Sequence, residues 1–88
     1  HFQNELLQNV PNPFNPTTSI QFSLSESDRV SIKIYDILGN LISEIINEYR
    51  NAGNHKVDFN AINLPGGIYF CNLSTKKISI TRKMCLIK

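Results

Sequence analysis

Residues 11–24 read PNPFNPTTSIQFSL: a hexapeptide with three prolines runs directly into a segment in which apolar and polar residues alternate. Proline fixes its own φ at about −65°, has no N–H to donate, and pushes the preceding residue toward extended geometry. The hexapeptide is therefore predicted to be a stiff, extended corner, neither helix nor central strand. Phe14 is its one large side chain, and we expect it to close one end of a hydrophobic core. The alternation that places Ile20, Phe22 and Leu24 on one side predicts a half-buried β-strand.

The same period of two recurs along the 88 residues, a length typical of one small domain. Short turn signals rich in Gly, Asn, Ser and Pro separate the alternating runs. This regular spacing predicts an all-β fold, a sandwich or a barrel. Seven strands are expected, over residues 5–10, 18–24, 29–36, 41–48, 55–59, 68–74 and 77–87.

The segment between residues 41 and 49 fits two kinds of secondary structure. The apolar residues between 41 and 49 follow the spacing of a helix, but the run also fits a strand buried on both faces. The strand before it and the tight turn at Gly39-Asn40 favour the strand.

The stretch 64–67, LPGG, predicts a type II turn in which Gly66 supplies the positive φ.

Charge is distributed unevenly. Residues 1–58 hold four cations and seven acids, a net −3, whereas residues 59–88 hold five cations and no acid, a net +5. A basic tail of this kind either meets an acidic partner or keeps a terminal edge strand soluble.

No catalytic, metal-binding or cofactor-binding constellation is recognised in the sequence. His55 lies in an alternating run and is expected to be packed or half-exposed. Cys71 and Cys85 are expected to stay unpaired, because a hairpin centred on Thr75-Lys76 places Cys71 opposite Ile80 and on the other face from Cys85. The basic residues lack the aromatic interleaving of a nucleic-acid platform.

The chain also lacks the apolar run of about 20 residues that a membrane-spanning helix needs. Its first residue, His1, looks like a cut point, so we expect an excised part of a longer protein.

Three stretches, taken in order, carry a family resemblance. They are LLQNVPNPFNPTTSIQFSL; VSIKIYDILGNLI followed by NAGNHKVDF; and LPGGIYFCNL followed by the closing TRKMCLIK. Together they resemble the C-terminal sorting domain of proteins exported by the type IX secretion system, in its type A form, over residues 6–88. Residues 1–5 are then the end of an upstream linker.

The resemblance implies an immunoglobulin-like β-sandwich of about seven antiparallel strands that is not an enzyme and needs no cofactor. Such domains direct an N-terminal cargo in the same chain across the outer membrane of a Gram-negative bacterium. The implied partners are the outer-membrane machinery and a sortase-like surface protease that removes the domain, so the cargo becomes secreted or held at the cell surface after passing through the periplasm. An isolated domain is expected to be monomeric, without a transmembrane segment and without nucleic acid.

Carried over by motif, the recognition candidates fall into three groups. They are the Pro-x-Pro element Pro11, Asn12 and Pro13; the Gly-x-Tyr element Gly67, Ile68 and Tyr69; and the basic end from Lys83 to Lys88.

Two departures from the family pattern are Phe59, where the family often has Trp, and the two cysteines. The alternative function is an immunoglobulin- or fibronectin-like spacer, structural or carbohydrate-binding, within a larger surface protein. A sorting domain should form the C-terminal end of its protein, whereas a spacer domain can lie anywhere in the chain.

Overall fold

A computed structural model describes residues 2–88; His1, the predicted cut point, lies outside the described residues. The strands are β1 (Glu5–Leu6), β2 (Thr17–Leu24), β3 (Asp28–Tyr35), β4 (Leu41–Arg50), β5 (Gly53–Asn60), β6 (Gly67–Ser74) and β7 (Ser79–Leu86). All seven predicted strands are present, with bounds that shift by a few residues.

The strands form two sheets, in the orders β1-β2-β5 and β4-β3-β6-β7, and every strand pair is antiparallel. In the strand letters of immunoglobulin domains, this is A-B-E packed on C′-C-F-G. The predicted immunoglobulin-like sandwich is confirmed.

The inward-facing residues of both sheets form one continuous core. On β2 and β3 the alternation puts Ile20, Phe22 and Ile32 at 1% exposure or less. Burying a side chain of this size stabilises a fold by about 1.5–3 kcal/mol relative to exposure. Phe14 reaches the same core from outside the sheets, is 1% exposed, and lies against Phe59 with ring centroids 6.3 Å apart. It closes one end of the core, as predicted.

Strand β4 resolves the choice between helix and strand. The register of β3 on β4 shifts twice, so that Ile45 and Ile42 are extra residues between successive pairs. A β-bulge of this kind inserts one residue and reverses the phase of the alternation. With two bulges, the apolar residues of this strand fall in adjacent pairs, 41–42 and 45–46, and pairs four residues apart are also what one face of a helix shows. The strand interpretation is confirmed and the helix is wrong. Burial on both faces is also wrong, because Leu41 and Tyr49 are 55% and 62% exposed.

The first strand is shorter than the predicted 5–10. Leu7 still donates its N–H to the Gln21 carbonyl at 3.0 Å, and Val10 pairs with Ser19 at 2.9 and 3.0 Å. Two residues lie between Leu7 and Val10, but only one lies between their partners Gln21 and Ser19. The chain before β2 therefore has one residue too many for regular pairing, and the ladder ends at Leu6.

The last hairpin has a different register from the predicted one. Ser74 pairs with Ser79 and the Thr75 N–H bonds the Ile78 carbonyl at 2.9 Å, so the turn centres on Lys76-Lys77. Cys71 therefore lies opposite Arg82, not Ile80. A shift of two residues leaves every side chain on its predicted face.

Phe14→Ala is expected to lower the free energy of unfolding by about 3–5 kcal/mol, because it removes a fully buried ring that the surrounding strands cannot replace. Urea denaturation followed by circular dichroism measures the change. Val10→Ala, four residues earlier at a side chain 65% exposed, is the matched control and should move the midpoint little. Equal midpoints for the two variants would contradict the role given to Phe14.

Candidate functional site

The proline-rich corner is bonded to the end of the last strand. Phe14 donates its N–H to the Cys85 carbonyl at 3.0 Å and accepts from the Ile87 N–H at 2.9 Å, a parallel bridge beside Leu86. The Asn12 side-chain oxygen accepts from the Cys85 N–H at 3.0 Å. The Val10–Pro11, Asn12–Pro13 and Asn15–Pro16 peptide bonds are cis. Through the hydrogen bonds of Phe14 and Asn12, the corner covers the free edge of β7 where that strand ends.

The segment before the corner continues this cover. Gln8 donates from its side-chain amide to the Lys83 carbonyl at 2.8 Å, and Arg82 donates through Nε to the Leu6 carbonyl at 2.8 Å. The backbone edge of the last strand is therefore bonded at Lys83, Cys85 and Ile87, and the Arg82 side chain adds a contact to the first strand. An edge strand ordinarily offers unpaired backbone groups to a further strand, but in this half of β7 those groups are already bonded.

The Gly-x-Tyr element forms the other side of the same end. The Tyr69 hydroxyl donates to the Pro65 carbonyl at 2.6 Å, which is the tyrosine corner of immunoglobulin-like domains. Gly67 has φ +149°, in a region that residues with a Cβ rarely adopt. A Cβ on Gly66 would lie 3.3 Å from the Leu86 carbonyl oxygen, so the chain passes close to β7 here.

The predicted type II turn is wrong, since its third position, Gly66, does not have the positive φ that this turn requires. The hydrogen-bonded turn lies earlier, where the Leu64 N–H bonds the Ala61 carbonyl at 3.0 Å. The positive φ falls one residue later, at Gly67, where β6 begins.

The three groups of candidates meet at this end of the sandwich. Gly67 pairs with Leu86 on one side of β7, and Phe14 bridges Leu86 on the other. Lys88 extends past the strand and donates through Nζ to the Ile62 carbonyl at 2.7 Å. We call this assembly of the corner, the Gly-x-Tyr element and the chain after Leu86 the convergent end.

The remaining candidates lie around it. Pro11 and Pro13 are exposed, and Ile68 is half-buried opposite Cys85. Lys83 lies farther along β7, exposed on the outer face of the sheet and opposite Phe70. The structure thus brings the motifs together while leaving Lys83 on a neighbouring surface.

Several contacts at this end were not found from the sequence. The bond from the Cys85 N–H to Asn12 joins residues 73 positions apart, and that from Arg82 to Leu6 joins residues 76 apart. An Asn before a proline and an Arg in an alternating strand are common in loops and strands, so neither residue signals its distant partner.

Two further ionisable residues, His55 on β5 and Asp36 in the β3–β4 turn, have ordinary hydrogen-bond partners. His55 stacks on Phe22 with ring centroids 5.2 Å apart, and its Nε2 lies 2.7 Å from the Asn51 carbonyl. Asp36 accepts from the N–H groups of Leu38 and Asn40, and the bond from the Asn40 backbone holds the pKa of this turn carboxylate below its usual value. Within residues 2–88, no group of three or more His, Cys, Asp or Glu is arranged to hold a metal ion.

The two cysteines are free, as predicted. Cys71 faces the core at 2% exposure, and burial raises the pKa of its thiol from the ordinary 9.0 to about 12. Cys85 lies on the opposite face and is half-buried. At its surface, the convergent end presents the rings of Pro11 and Pro13, the side chain of Ile87 and the ammonium group of Lys88, which suit binding to another molecule.

The fold and the tyrosine corner define a small immunoglobulin-like module whose first and last segments are joined. Residues 10–88 match the family described as secretion system C-terminal sorting domain, and the chain belongs to this family of type IX secretion. The resemblance stated from the three motifs is confirmed. No curated protein matches the chain. Residues 2–88 contain no helix long and apolar enough to cross a membrane.

Tyr69→Phe should lower the free energy of unfolding by about 0.5–1.5 kcal/mol, because it removes the hydroxyl and leaves the Pro65 carbonyl without that donor. Urea denaturation of both proteins gives the difference. Tyr49→Phe, at a tyrosine 62% exposed, is the control and should be neutral. If the two variants have equal midpoints, the corner bond contributes nothing measurable.

Gly67→Val should cost about 1–3 kcal/mol, since valine is strained at φ +149° even though no atom lies within 4 Å of the position a Cβ would take. The same denaturation assay tests it. Ile68→Val, one residue later on the same strand, serves as the control because it removes one methylene and leaves the backbone unstrained. A Gly67→Val midpoint within error of the control would remove the backbone argument.

A thiol reagent should modify Cys85 in the native protein and reach Cys71 only after unfolding, because the thiolate is the reactive form and burial disfavours it. The folded-state pKa of Cys71 is raised, so its contribution to stability is present below pH 9.0 and is lost as the pH rises toward about 12. Thiol counting in buffer and in urea measures the first effect, and Cys85→Ser should abolish the native signal. Two thiols that react equally fast in the native protein would contradict this assignment.

Proposed function

We propose that this domain is a sorting signal for export and that its receptor recognises the folded surface of the convergent end. It carries no catalytic role of its own. It directs a cargo in the same chain from the periplasm across the outer membrane of a Gram-negative bacterium, after which a sortase-like surface protease removes the domain. The cargo is thereby secreted or held at the cell surface.

One observation carries the proposal. Motifs that lie more than fifty residues apart in the sequence, at Asn12 and at Gly67, flank the same two residues of β7, Cys85 and Leu86. A linear signal would not need this arrangement. A receptor that contacts the convergent end can recognise all three motifs at once, but only when the sandwich is folded.

The basic end supplies the electrostatic part of the recognition. Lys88 lies at the convergent end, whereas Lys76 lies in the β6–β7 turn at the opposite end of the sandwich. Both are exposed lysines of the acid-free part of the chain. Exposed charges at the rim of an interface mainly raise the association rate and are screened by salt.

The test is a fusion of the 88 residues to the C-terminus of a periplasmic reporter in a host that has type IX secretion. The intact fusion should reach the surface or the medium. Lys88→Glu should slow export about two- to tenfold by weakening electrostatic steering, and Lys76→Glu is the matched control.

Deletion of residues 77–88 should leave the reporter in the periplasm, because β7 and the basic end are lost together. If the intact fusion stays periplasmic while an established sorting domain works in the same host, the proposal fails and a spacer module becomes the better interpretation. Equal export of the two lysine variants would exclude Lys88 from recognition.

A further inference from the structure

The two outer faces of the sandwich differ in chemistry. On the β2–β5 sheet, the outward positions of both strands are polar or charged: Thr17, Ser19, Gln21, Ser23, Asn54, Lys56, Asp58 and Asn60. Leu7 and Val10, in the segment after β1, add two exposed apolar side chains beside them. The alternation of a solvated sheet predicts such a face.

The outer face of the four-stranded sheet departs from this rule. Leu41 pairs with Tyr35, Tyr35 with Phe70, and Phe70 with Lys83, so a single row crosses β4, β3, β6 and β7 in turn. Residues directly opposite on neighbouring strands share a face. Leu41 is 55% exposed, Tyr35 and Phe70 are half-buried, and Lys83 is exposed. We call these four residues the outer row.

The surroundings limit the outer row to one part of the face. The next row toward the β6–β7 turn is polar, with Lys33 lying 3.8 Å from Glu44. On the other side, Ile68 and Cys85 pair beside the convergent end and add half-buried apolar surface. The apolar strip therefore consists of the outer row and of the Ile68–Cys85 pair beside the convergent end.

Charge indicates what can occupy this strip. Residues 59–88 hold five cations and no acid, and Lys83 is the one that stands in the outer row. Other cations of this part of the chain have local partners: Arg82 bonds the Leu6 carbonyl and Lys77 pairs with Glu26. An occupant complementary to the outer row needs an apolar side chain over Tyr35 and Phe70 and a carboxylate at Lys83.

We propose that the outer row is a docking surface for an acidic protein partner that engages it transiently. The inference rests on the proposed function, in which the partner is a component of the export machinery, and it places a second contact beside the convergent end. Tyrosine is one of the residue types enriched among the side chains that carry most of the binding energy at protein interfaces, and Tyr35 lies between Leu41 and Phe70 in this row.

Two other occupants fit less well. A stable dimer needs about 800 Å² from each partner, more than a single row of four side chains supplies. An anionic membrane surface binds through clusters of cations, each worth about 1 kcal/mol, and through apolar side chains that insert into the lipid. The outer row has one cation, and its aromatic rings lie half-buried within a sheet.

The experiment uses the reporter fusion with two matched pairs. Phe70→Thr removes the centre of the outer row, and its control Tyr49→Thr removes an exposed aromatic from the far end of the same sheet. Lys83→Glu reverses the charge of the outer row, and its control Lys56→Glu does so on the opposite outer face. We expect both outer-row variants to export at least about fivefold more slowly than wild type, and both controls to match wild type.

Urea denaturation of each purified domain separates docking from folding. Lys83→Glu keeps the backbone bond from Gln8 and should retain the wild-type midpoint, so it tests the surface even if Phe70→Thr is destabilised.

Normal export of both outer-row variants would overturn the docking surface and leave the export function standing. Equal slowing by Lys83→Glu and Lys56→Glu would also overturn it, because net charge would then explain the effect. If the wild-type fusion itself is not exported, the proposed function and this inference fall together.

Two measurements on the purified domain address the other occupants. The first is sedimentation of the domain with phosphatidylglycerol vesicles. If the wild type sediments with them and both Phe70→Thr and Lys83→Glu abolish this binding, the outer row is a lipid-binding surface. A dimer in analytical ultracentrifugation that the same variants dissociate would reassign it to a second copy of the chain. Either result would overturn the proposal.

Discussion

The insertion of Phe14 between the two ends of the chain is the interaction on which the other features depend. Its ring fills the end of the core, and its N–H and C=O bond Cys85 and Ile87 of the last segment. Pro13 and Pro16 have no N–H, so the hexapeptide can offer few donors, and Phe14 directs one of them to β7. The corner thereby covers a strand edge that would otherwise invite pairing with another chain. It also brings the Pro-x-Pro motif to the place where β6 begins.

Much of the fold could be predicted because alternation is a local property of the sequence. The seven strands and the role of Phe14 both follow from patterns within a few residues. The segment 41–50 shows the limit. Its two bulges at Ile42 and Ile45 are set by how β4 lies against β3, and that information is not local. The resulting apolar spacing resembled a helix until the flanking turn and strand were considered.

The site was less predictable than the fold, for a reason that the last hairpin illustrates. Side chains on a strand repeat every two residues, so moving the turn from Thr75-Lys76 to Lys76-Lys77 changes each partner and keeps each face. The prediction that Cys71 and Cys85 face opposite sides survived, while the partner of Cys71 was wrong. The row Leu41-Tyr35-Phe70-Lys83 depends on registers between four strands, and alternation alone cannot supply them.

The arrangement makes recognition conditional on folding. The convergent end exists only when residues 12, 67 and 86 are in contact through β7, and β7 is the last strand of the sandwich. A chain that has not formed β7 lacks the partner of Gly67, the acceptor for the Phe14 N–H and the cover of the core by Leu86. Under the proposed function, unfolded or truncated domains would present isolated motifs without the surface. A receptor that needs contacts from all three segments would therefore bind them weakly, and this selects complete, folded domains without a separate step of proofreading.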